Sequence, residues 1–315
     1  MKKVPAASRQ AGHNNNGRLG MKKNNECRRG RTAAGFAIAI SGLMLTAGAV
    51  HAEGAADLLP KKYRDAGVIN LVTDAKYPPF QFIDDSGKMV GFEVDLWNAI
   101  AERLKVKMNV TSVSFDSMIP GVQSGRWDVS MEGITDNAER QAVVSFVDYG
   151  YTTSSAYVLE TKGADINDHL ALCGLKGAAQ SGTEWVGMIT AELAKACTEA
   201  GKPAPTVSEF GTSDATLLSV YSGRTDFVLT SAASAREIQK AAPNPVKVVP
   251  MPILPRKPSG IAFRKNEEDL GKALLAALKE VRADGTYEKI YATWSVEPMK
   301  MEHEPGINLE TIPAK

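Results

Sequence analysis

Short apolar runs alternate along the chain with segments of helical apolar spacing, and this alternation limits the folds that the sequence can adopt. Val68–Thr73 is a short apolar run typical of a buried strand. Apolar residues of Glu93–Leu104 recur on one helical face. Val106–Val110 and Trp127–Met131 are predicted strands on either side of a short helix at Asp116–Ser124. This order predicts an α/β fold with a mostly parallel sheet covered by helices.

A second cycle of strands and helices begins near Val158. Its predicted elements are a weak strand 176–180, a helix Glu184–Ala200, an extended segment Ala204–Phe210, a helix Asp214–Ser222, a strand Asp226–Thr230, a helix to Ala241, strands Val246–Val249 and Gly260–Phe263, and helices Leu270–Arg282 and Thr286–Trp294. Four prolines within Pro250–Pro258 favour a stiff, extended crossover. We expect the residues after Glu297 to form a loose tail.

An internal echo supports two similar lobes. The sequence Gln123–Val129 resembles Tyr221–Phe227, and each places a helix end, a glycine, a basic residue and an aspartate before a buried strand. The echo is a structural signature and carries no chemistry by itself.

The N-terminal segment has the pattern of an export signal. Residues 1–31 are polar and basic, Thr32–Val50 is an uninterrupted run of apolar and small residues, and small or apolar residues precede a cleavage site after Ala52. We therefore predict a signal peptide over residues 1–52, cleaved near Ala52, and a periplasmic mature protein. A retained membrane anchor is the alternative, because the run is long enough to span a bilayer. Translation starting at Met21 would give a signal of ordinary length.

Removal of that segment changes the charge and leaves two cysteines. Residues 1–52 contain 9 of the 37 basic and one of the 36 acidic residues, so the remaining 28 basic and 35 acidic residues give a net charge of −7. A mildly acidic chain without basic clusters argues against a nucleic-acid partner. Cys173 and Cys197 form an even pair in an oxidising compartment and are predicted to form a disulfide, with two free thiols as the alternative. We expect no metal and no cofactor.

Several motifs appear in a recognisable order. They are Thr73-Asp74-Ala75-Lys76-Tyr77-Pro78-Pro79-Phe80, Gly91-Phe92-Glu93-Val94-Asp95-Leu96, Ser124-Gly125-Arg126-Trp127-Asp128, Gly133-Ile134-Thr135, Glu139-Arg140 and Ala283-Asp284-Gly285-Thr286-Tyr287. Each motif alone is weak, but all of them in order are specific. From about Val68 to Trp294 the chain resembles the type 3 extracellular solute-binding proteins, the polar amino-acid receptors of ABC importers.

The resemblance implies a Venus-flytrap fold of two mostly parallel-sheet lobes joined by a two-strand hinge. Lobe 1 would comprise residues 53–156 and 257–315 with the tail, and lobe 2 residues 157–256. The chain would cross near Ala156-Tyr157 and again in the proline-rich stretch, and a ligand in the interlobe cleft would close the lobes. The expected partners are a small polar amino acid or related carboxylate and a membrane permease, and we expect a monomer.

The resemblance also assigns residues to the ligand carboxylate. Arg140 occupies the position that grips it, and a guanidinium matches a carboxylate with two parallel hydrogen bonds. A surface salt bridge with Glu139 or Asp136 is the alternative. Thr135 and the backbone of Gly133 would help, although the glycine also suits a turn. From lobe 2, a helix beginning at Gln180-Ser181-Gly182-Thr183-Glu184 would offer its N–H groups, with Thr183 either a direct contact or only a helix cap.

Other residues would meet the rest of the ligand. Tyr77 and Phe115 match aromatic positions that sandwich the ligand side chain in the family, although Phe115 also suits an ordinary core. Asp74 either caps a strand end or meets a cationic group of the ligand. Glu184 is a further acidic candidate for lining the cleft.

Two departures from the family pattern affect recognition of the ligand ammonium. Many relatives carry an aspartate where this chain has Ser231, and Glu132 replaces a small residue beside the carboxylate site. Glu132 therefore either supplies the lost negative charge or pairs with Arg140 or another protein cation.

The leading functional prediction is capture of a polar, cationic amino acid or derivative, without enzymatic activity. Charge complementarity with Asp74, Glu132 and Glu184 favours an arginine-, lysine- or ornithine-like ligand. The alternatives are a dehydratase of the cyclohexadienyl or prephenate type on the same fold, for which Glu132 would be a general acid, and a ligand-sensing module.

Overall fold

A computed structural model describes residues 54–311, so the predicted signal peptide lies outside the described residues. The described residues form thirteen strands: β1 (Val68–Thr73), β2 (Lys76–Tyr77), β3 (Gln81–Ile83), β4 (Met89–Val90), β5 (Lys107–Ser112), β6 (Val129–Ser130), β7 (Val144–Thr152), β8 (Ser154–Leu159), β9 (Lys176–Gln180), β10 (Thr206–Phe210), β11 (Phe227–Ser231), β12 (Val246–Pro250) and β13 (Lys257–Arg264).

The α-helices within residues 54–311 are α1 (Ala55–Leu58), α2 (Lys61–Ala66), α3 (Phe92–Leu104), α4 (Met118–Ser124), α5 (Ala138–Gln141), α6 (Trp185–Met188), α7 (Ala194–Glu199), α8 (Ser213–Tyr221), α9 (Ala232–Ala241), α10 (Glu268–Ala283) and α11 (Thr286–Thr293). A π-helical stretch, Ile189–Leu193, joins α6 to α7. None of these helices is long and apolar enough to cross a membrane.

Two five-stranded sheets form the cores of two lobes, which confirms the predicted α/β fold. The strand order is β5-β1-β6-β13-β7 in the first sheet and β10-β9-β11-β8-β12 in the second. Strands β1, β5 and β6 pair in parallel, as do β9, β10 and β11. The predicted mostly parallel pairing needs correction, because β7 and β13, and likewise β8 and β12, are antiparallel.

The antiparallel pairs follow from how the chain crosses between the lobes. The chain leaves the first sheet along β7 and enters the second along β8, with Thr153 between them. It returns from β12 to β13, so an outgoing and an incoming strand lie side by side in each lobe. Two neighbouring crossings in opposite directions form a hinge. The predicted domain limits at 156 and 256 lie close to these crossings.

The internal echo has a structural counterpart. The Asp128 carboxylate accepts hydrogen bonds from the backbone and side-chain N–H groups of Asn70, both at 2.9 Å. The Asp226 carboxylate accepts the backbone N–H of Lys176, also at 2.9 Å. In each lobe the aspartate before a central strand therefore ties that strand to the start of its parallel neighbour.

The predicted loose tail is wrong. Residues 298–311, which we call the C-terminal strap, pack against the first lobe. Met299 and Met301 are buried, and the backbone N–H of Met301 donates to the Tyr287 hydroxyl at 3.1 Å. Strap residues pair with the outer edge of β7. The apolar pattern predicted no helix or strand here. The segment instead covers the free edge of a sheet, a role that few sequence patterns indicate.

The predicted disulfide is confirmed. The sulfur atoms of Cys173 and Cys197 are 2.06 Å apart, and the bond ties the start of the second sheet to α7.

Candidate functional site

A narrow pocket with a cavity volume of about 10 Å³ lies between the two lobes. Eight of the ten predicted ligand-binding residues line it, together with two further residues. The lining residues are Tyr77, Phe115, Glu132, Gly133, Thr135, Arg140, Gln180, Thr183, Glu184 and Trp185. Asp74 and Ser231, the other two predicted residues, lie just outside the pocket wall and contact residues of the opposite lobe.

Arg140 lies in the short helix α5 and reaches across the cleft. Its Nη1 donates to the carbonyl and hydroxyl oxygens of Thr135, at 2.8 and 2.7 Å. Its Nη2 donates to the carbonyl of Gly182 in the second lobe, at 2.9 Å. No carboxylate oxygen of residues 54–311 lies within 4.0 Å of the guanidinium, so the proposed surface salt bridge with Glu139 or Asp136 does not form.

Two further features define the environment of this guanidinium. Its central carbon lies 5.6 Å from the centre of the Phe115 ring, within the range of a cation–π contact. Burial lowers the pKa of Arg140 below its ordinary value, while the nearby Glu184 carboxylate opposes that shift. The half-buried Arg140 guanidinium thus donates only to neutral oxygens, and a ligand carboxylate would give it a negatively charged partner.

Glu132 follows β6 and is 3 % exposed. One carboxylate oxygen, Oε2, accepts hydrogen bonds from the Thr73 hydroxyl and, at 2.6 Å, from the backbone N–H of Asp74. These donors are neutral, and Glu132 forms no ion pair with a cation of residues 54–311, so the alternative of an internal salt bridge with Arg140 is not realised. Burial raises the pKa of Glu132 well above its ordinary value.

A second buried carboxyl lies behind the pocket wall. Glu93, from α3, is fully buried and accepts hydrogen bonds from the backbone N–H of Gly133, at 2.7 Å, and from the Tyr149 hydroxyl. Burial raises the pKa of Glu93 to about 8. Gly133 has a φ of 58°, and an added Cβ would lie 2.8 Å from the Phe80 ring. The glycine is therefore required by both conformation and space.

Asp74 joins the lobes through Gln180. Its Oδ2 accepts a hydrogen bond from Gln180 Nε2 at 3.3 Å, and Asp74 is 5 % exposed. Burial raises the pKa of Asp74, although the hydrogen bond from Gln180 and the charge of Lys76 lower it. Asp74 is thus a buried acid beside the pocket, in addition to Glu132 and Glu93.

Tyr77 also bridges the cleft. Its hydroxyl lies 3.2 Å from the Thr230 hydroxyl and accepts the backbone N–H of Ser231 at 3.2 Å. The Ser231 side chain caps α9 by accepting the N–H of Ser234, so it is turned to its own helix. The Tyr77 ring stacks on Phe80 with ring centres 4.6 Å apart.

The start of α6 closes the pocket from the second lobe. The Thr183 hydroxyl donates to the carbonyl of Gln180 at 2.6 Å. Glu184 is half-buried, and burial raises its pKa while the charge of Arg140 lowers it. The predicted ligand roles of both residues stay predictions.

Gln180 and Trp185 are pocket residues that were not singled out from the sequence. Gln180 occupies the last position of β9, and Trp185 begins α6 and donates its indole N–H to the Ser154 hydroxyl at 3.2 Å. Their positions in the sequence could have indicated them, because both residues flank the helix start that was predicted to bind the ligand carboxylate.

Two α/β lobes, paired crossing strands and a charged pocket between them define a bilobal ligand-binding protein. The chain belongs to the bacterial extracellular solute-binding proteins, family 3, whose family profile matches residues 69–297.

Individual relatives agree with this assignment. The chain is 30 % identical to a putative ABC transporter arginine-binding protein 2 of Escherichia coli K12, over 73 % of this chain and 91 % of that one. An ancestral arginine-binding protein bound to arginine is similar in structure, with a TM-score of 0.63 and 34 % identity, over 72 % and 98 % of the two chains. An ancestral amino acid-binding protein described as a precursor of cyclohexadienyl dehydratase has a TM-score of 0.63 and 30 % identity, over 74 % and 97 %.

Proposed function

We propose that this protein is the periplasmic solute-binding component of an ABC importer and that it captures a cationic amino acid, with L-arginine as the leading candidate. The observation that carries the proposal is Glu132, a buried carboxyl that lines the interlobe pocket and forms no ion pair with a cation of residues 54–311. A buried carboxylate needs a cationic partner, and a ligand guanidinium or ammonium would supply one.

The opposite end of the ligand would meet Arg140. Its N–H groups are directed at neutral carbonyl and hydroxyl oxygens, so a ligand carboxylate would form stronger, charge-assisted hydrogen bonds than these. Arg140, together with the acids Glu132 and Asp74, matches a molecule that carries one carboxylate and a positive charge. The names of two relatives, which refer to arginine, agree with this charge pattern.

The lobes are closed around the pocket. Its cavity volume of about 10 Å³ is far below that of usual ligand sites, so the pocket has no room for an amino acid as it stands. Hydrogen bonds of Tyr77 and Arg140 already join the lobes around it. Entry of a ligand therefore requires the lobes to separate at the hinge.

The location and partners follow from the same proposal. We propose export by cleavage near Ala52 and residence in the periplasm, with delivery of the ligand to a membrane permease. The net charge of −7 after cleavage supports a protein without a nucleic-acid partner. We propose that the protein acts as a monomer.

A thermal-shift screen tests the proposal. Residues 53–315 are unfolded and refolded to remove any carried-over ligand, then heated with basic, neutral and acidic amino acids, betaines and prephenate. A ligand at 100 times its Kd adds about 2.7 kcal/mol of stability. We expect a shift with arginine, lysine or ornithine, and affinity for them should fall in both Asp74→Ala and Glu132→Ala. Unchanged affinity in both variants would overturn the cationic ligand.

A dehydratase is the second candidate, because burial raises the pKa of the Glu132 carboxyl well above its ordinary value, which is the direction that a general acid requires. The likeness to a dehydratase precursor agrees with that chemistry. We propose binding without turnover, since Glu132 and Asp74 match a positively charged ligand. Loss of prephenate absorbance on incubation with the protein, abolished in Glu132→Gln, would instead establish the enzyme.

A further inference from the structure

The C-terminal strap lies beyond the part of the chain that matches the family, which ends at residue 297. It nevertheless makes ordered contacts with the first lobe. The backbone N–H of Asp148 donates to the carbonyl of Gly306 at 2.9 Å, and the N–H of Asn308 donates to the carbonyl of Phe146 at 3.1 Å. Phe146 in turn donates its N–H to the Asn308 side chain at 2.8 Å. The strap thus extends the first sheet at the edge strand β7.

Two buried aspartates hold the end of the strap. The Asp148 carboxylate accepts the backbone N–H of Leu309 at 2.9 Å. The Asp136 carboxylate accepts the backbone N–H of Glu310 at 3.2 Å. Both aspartates are fully buried, so these hydrogen bonds form in a medium where an unsatisfied carboxylate is costly. Burial and the neighbouring Asp136 raise the pKa of Asp148 to about 8, so the Asp148 carboxyl keeps its proton at neutral pH.

Asp136 is also joined to both ends of the segment that carries Arg140. Thr135, whose carbonyl and hydroxyl oxygens receive the Arg140 guanidinium, immediately precedes Asp136. Gln141, which immediately follows Arg140, donates its side-chain amide to Asp136 at 2.7 Å. One carboxyl group therefore fixes residues 135–141 on one side and the strap on the other.

The strap has a second attachment, at the start of the returning hinge strand. Glu310 forms an ion pair with Lys257, the first residue of β13. Glu302 forms an ion pair of 2.6 Å with Arg256, just before that strand. The strap therefore connects the hinge to the aspartate that supports the Arg140 segment.

We propose that the C-terminal strap is a positioning element of the ligand site, which acts through Asp136 to hold the Arg140 guanidinium in place for the ligand carboxylate. The inference deepens the proposed function and rests on it. The strap forms no hydrogen bond with a pocket-lining residue within residues 54–311, so it acts on the site through Asp136 and through the charge of Glu310. Burial raises the pKa of Glu184, and the charge of Glu310 adds to that shift.

Three changes to the full chain test this role. Truncation after Met301 removes residues 302–315 and with them both backbone donors. Asp148→Ala removes one anchor, whereas Asp148→Asn keeps an acceptor oxygen for Leu309 and offers an amide to Asp136. Glu302→Gln is the matched control, because it breaks only an exposed ion pair of the same strap, and such pairs contribute little.

The first measurement is the Kd for L-arginine by titration calorimetry. Loss of one hydrogen bond that leaves a buried partner unsatisfied corresponds to about a tenfold change in affinity. We expect the truncation and Asp148→Ala to weaken binding about tenfold, and Asp148→Asn and Glu302→Gln to stay within about twofold of the unmodified protein. Equal affinity in Asp148→Ala and the unmodified protein would overturn the proposal, even if the truncated chain fails to fold.

The second measurement is amide hydrogen exchange of the ligand-free protein, which does not depend on the identity of the ligand. We expect faster exchange in residues 135–141 of Asp148→Ala and restoration in Asp148→Asn, with the second lobe unchanged. Exchange that rises throughout both lobes would indicate a merely structural role and overturn the proposal. If the unmodified protein binds no amino acid while residues 135–141 respond as expected, the proposed function fails and the positioning role of the strap stands.

Discussion

Replacement of Glu132 by glutamine gives the sharpest test of how this pocket recognises charge. Glutamine keeps the shape and an oxygen for the Thr73 hydroxyl and the Asp74 N–H, but it removes the negative charge. Removal of one partner of a buried charge pair costs about 2–5 kcal/mol. Since about 1.4 kcal/mol corresponds to a factor of ten, the affinity for arginine should fall between about 30-fold and several thousand-fold.

The same variant should change the pH dependence of binding. Burial raises the pKa of Glu132 in the ligand-free protein, and an ion pair with a bound cation would lower it. Arginine binding should therefore release protons at pH values between these two pKa values and weaken as the pH falls through that range. The release should be much smaller in Glu132→Gln.

The stability of the ligand-free protein should depend on pH in the opposite sense to the affinity for arginine. The folded-state pKa of Glu132 lies above its unfolded value, so the folded protein binds more protons than the unfolded chain between these two values. Stability must then fall as the pH rises through that window. Glu132→Gln removes this loss and should melt at a higher temperature than the unmodified protein at neutral pH.

Titration calorimetry in two buffers with different enthalpies of ionisation measures both the affinity and the released protons. Glu139→Gln is the matched control, because Glu139 is an exposed neighbour of Arg140 and its loss should change the affinity less than twofold. Equal affinity of Glu132→Gln and the unmodified protein, or proton release that persists undiminished in the variant, would refute the reasoning.

Three further predictions concern the hinge, the disulfide and the pocket wall. Tyr77→Phe removes a hydroxyl that bonds the second lobe at 3.2 Å, so the ligand-free protein should show a larger radius of gyration in X-ray scattering. Cys173→Ser with Cys197→Ser opens a loop with a sequence separation of 24, and urea unfolding should show a loss of about 3 kcal/mol. Gly133→Ala should lower the melting temperature, since its Cβ would lie 2.8 Å from an aromatic ring, whereas Gly187→Ala, with open space, should leave it equal or higher.

Local patterns predicted most elements of the fold. The bounds of β1 are those expected from its apolar run, and α3 differs from its predicted start by one residue. These elements depend on residues close together in the chain. The antiparallel pairing of β7 with β13 depends instead on where the chain returns from the other lobe, which apolar spacing does not encode.

The candidate site shows the same division. A family motif indicates Arg140 and a departure from the family pattern indicates Glu132, but the contact of Gln180 with Asp74 arises only when the two lobes close. The strap was missed because its segment lacks regular apolar spacing, and two of its attachments are backbone N–H groups held by distant aspartates. Such contacts depend on the completed first lobe. The ligand roles of the predicted residues stay predictions.

The position of β13 in the first sheet has a consequence for how the protein is made. This strand lies between β6 and β7, yet it begins at Lys257, after the whole second sheet has been synthesised. The second lobe is continuous in sequence and can form as soon as β12 is complete. The first lobe lacks an inner strand until then, and long-range strand pairing of this kind is slow. Slow completion of the first lobe would keep the newly made chain unfolded longer, which would suit the export proposed for this protein.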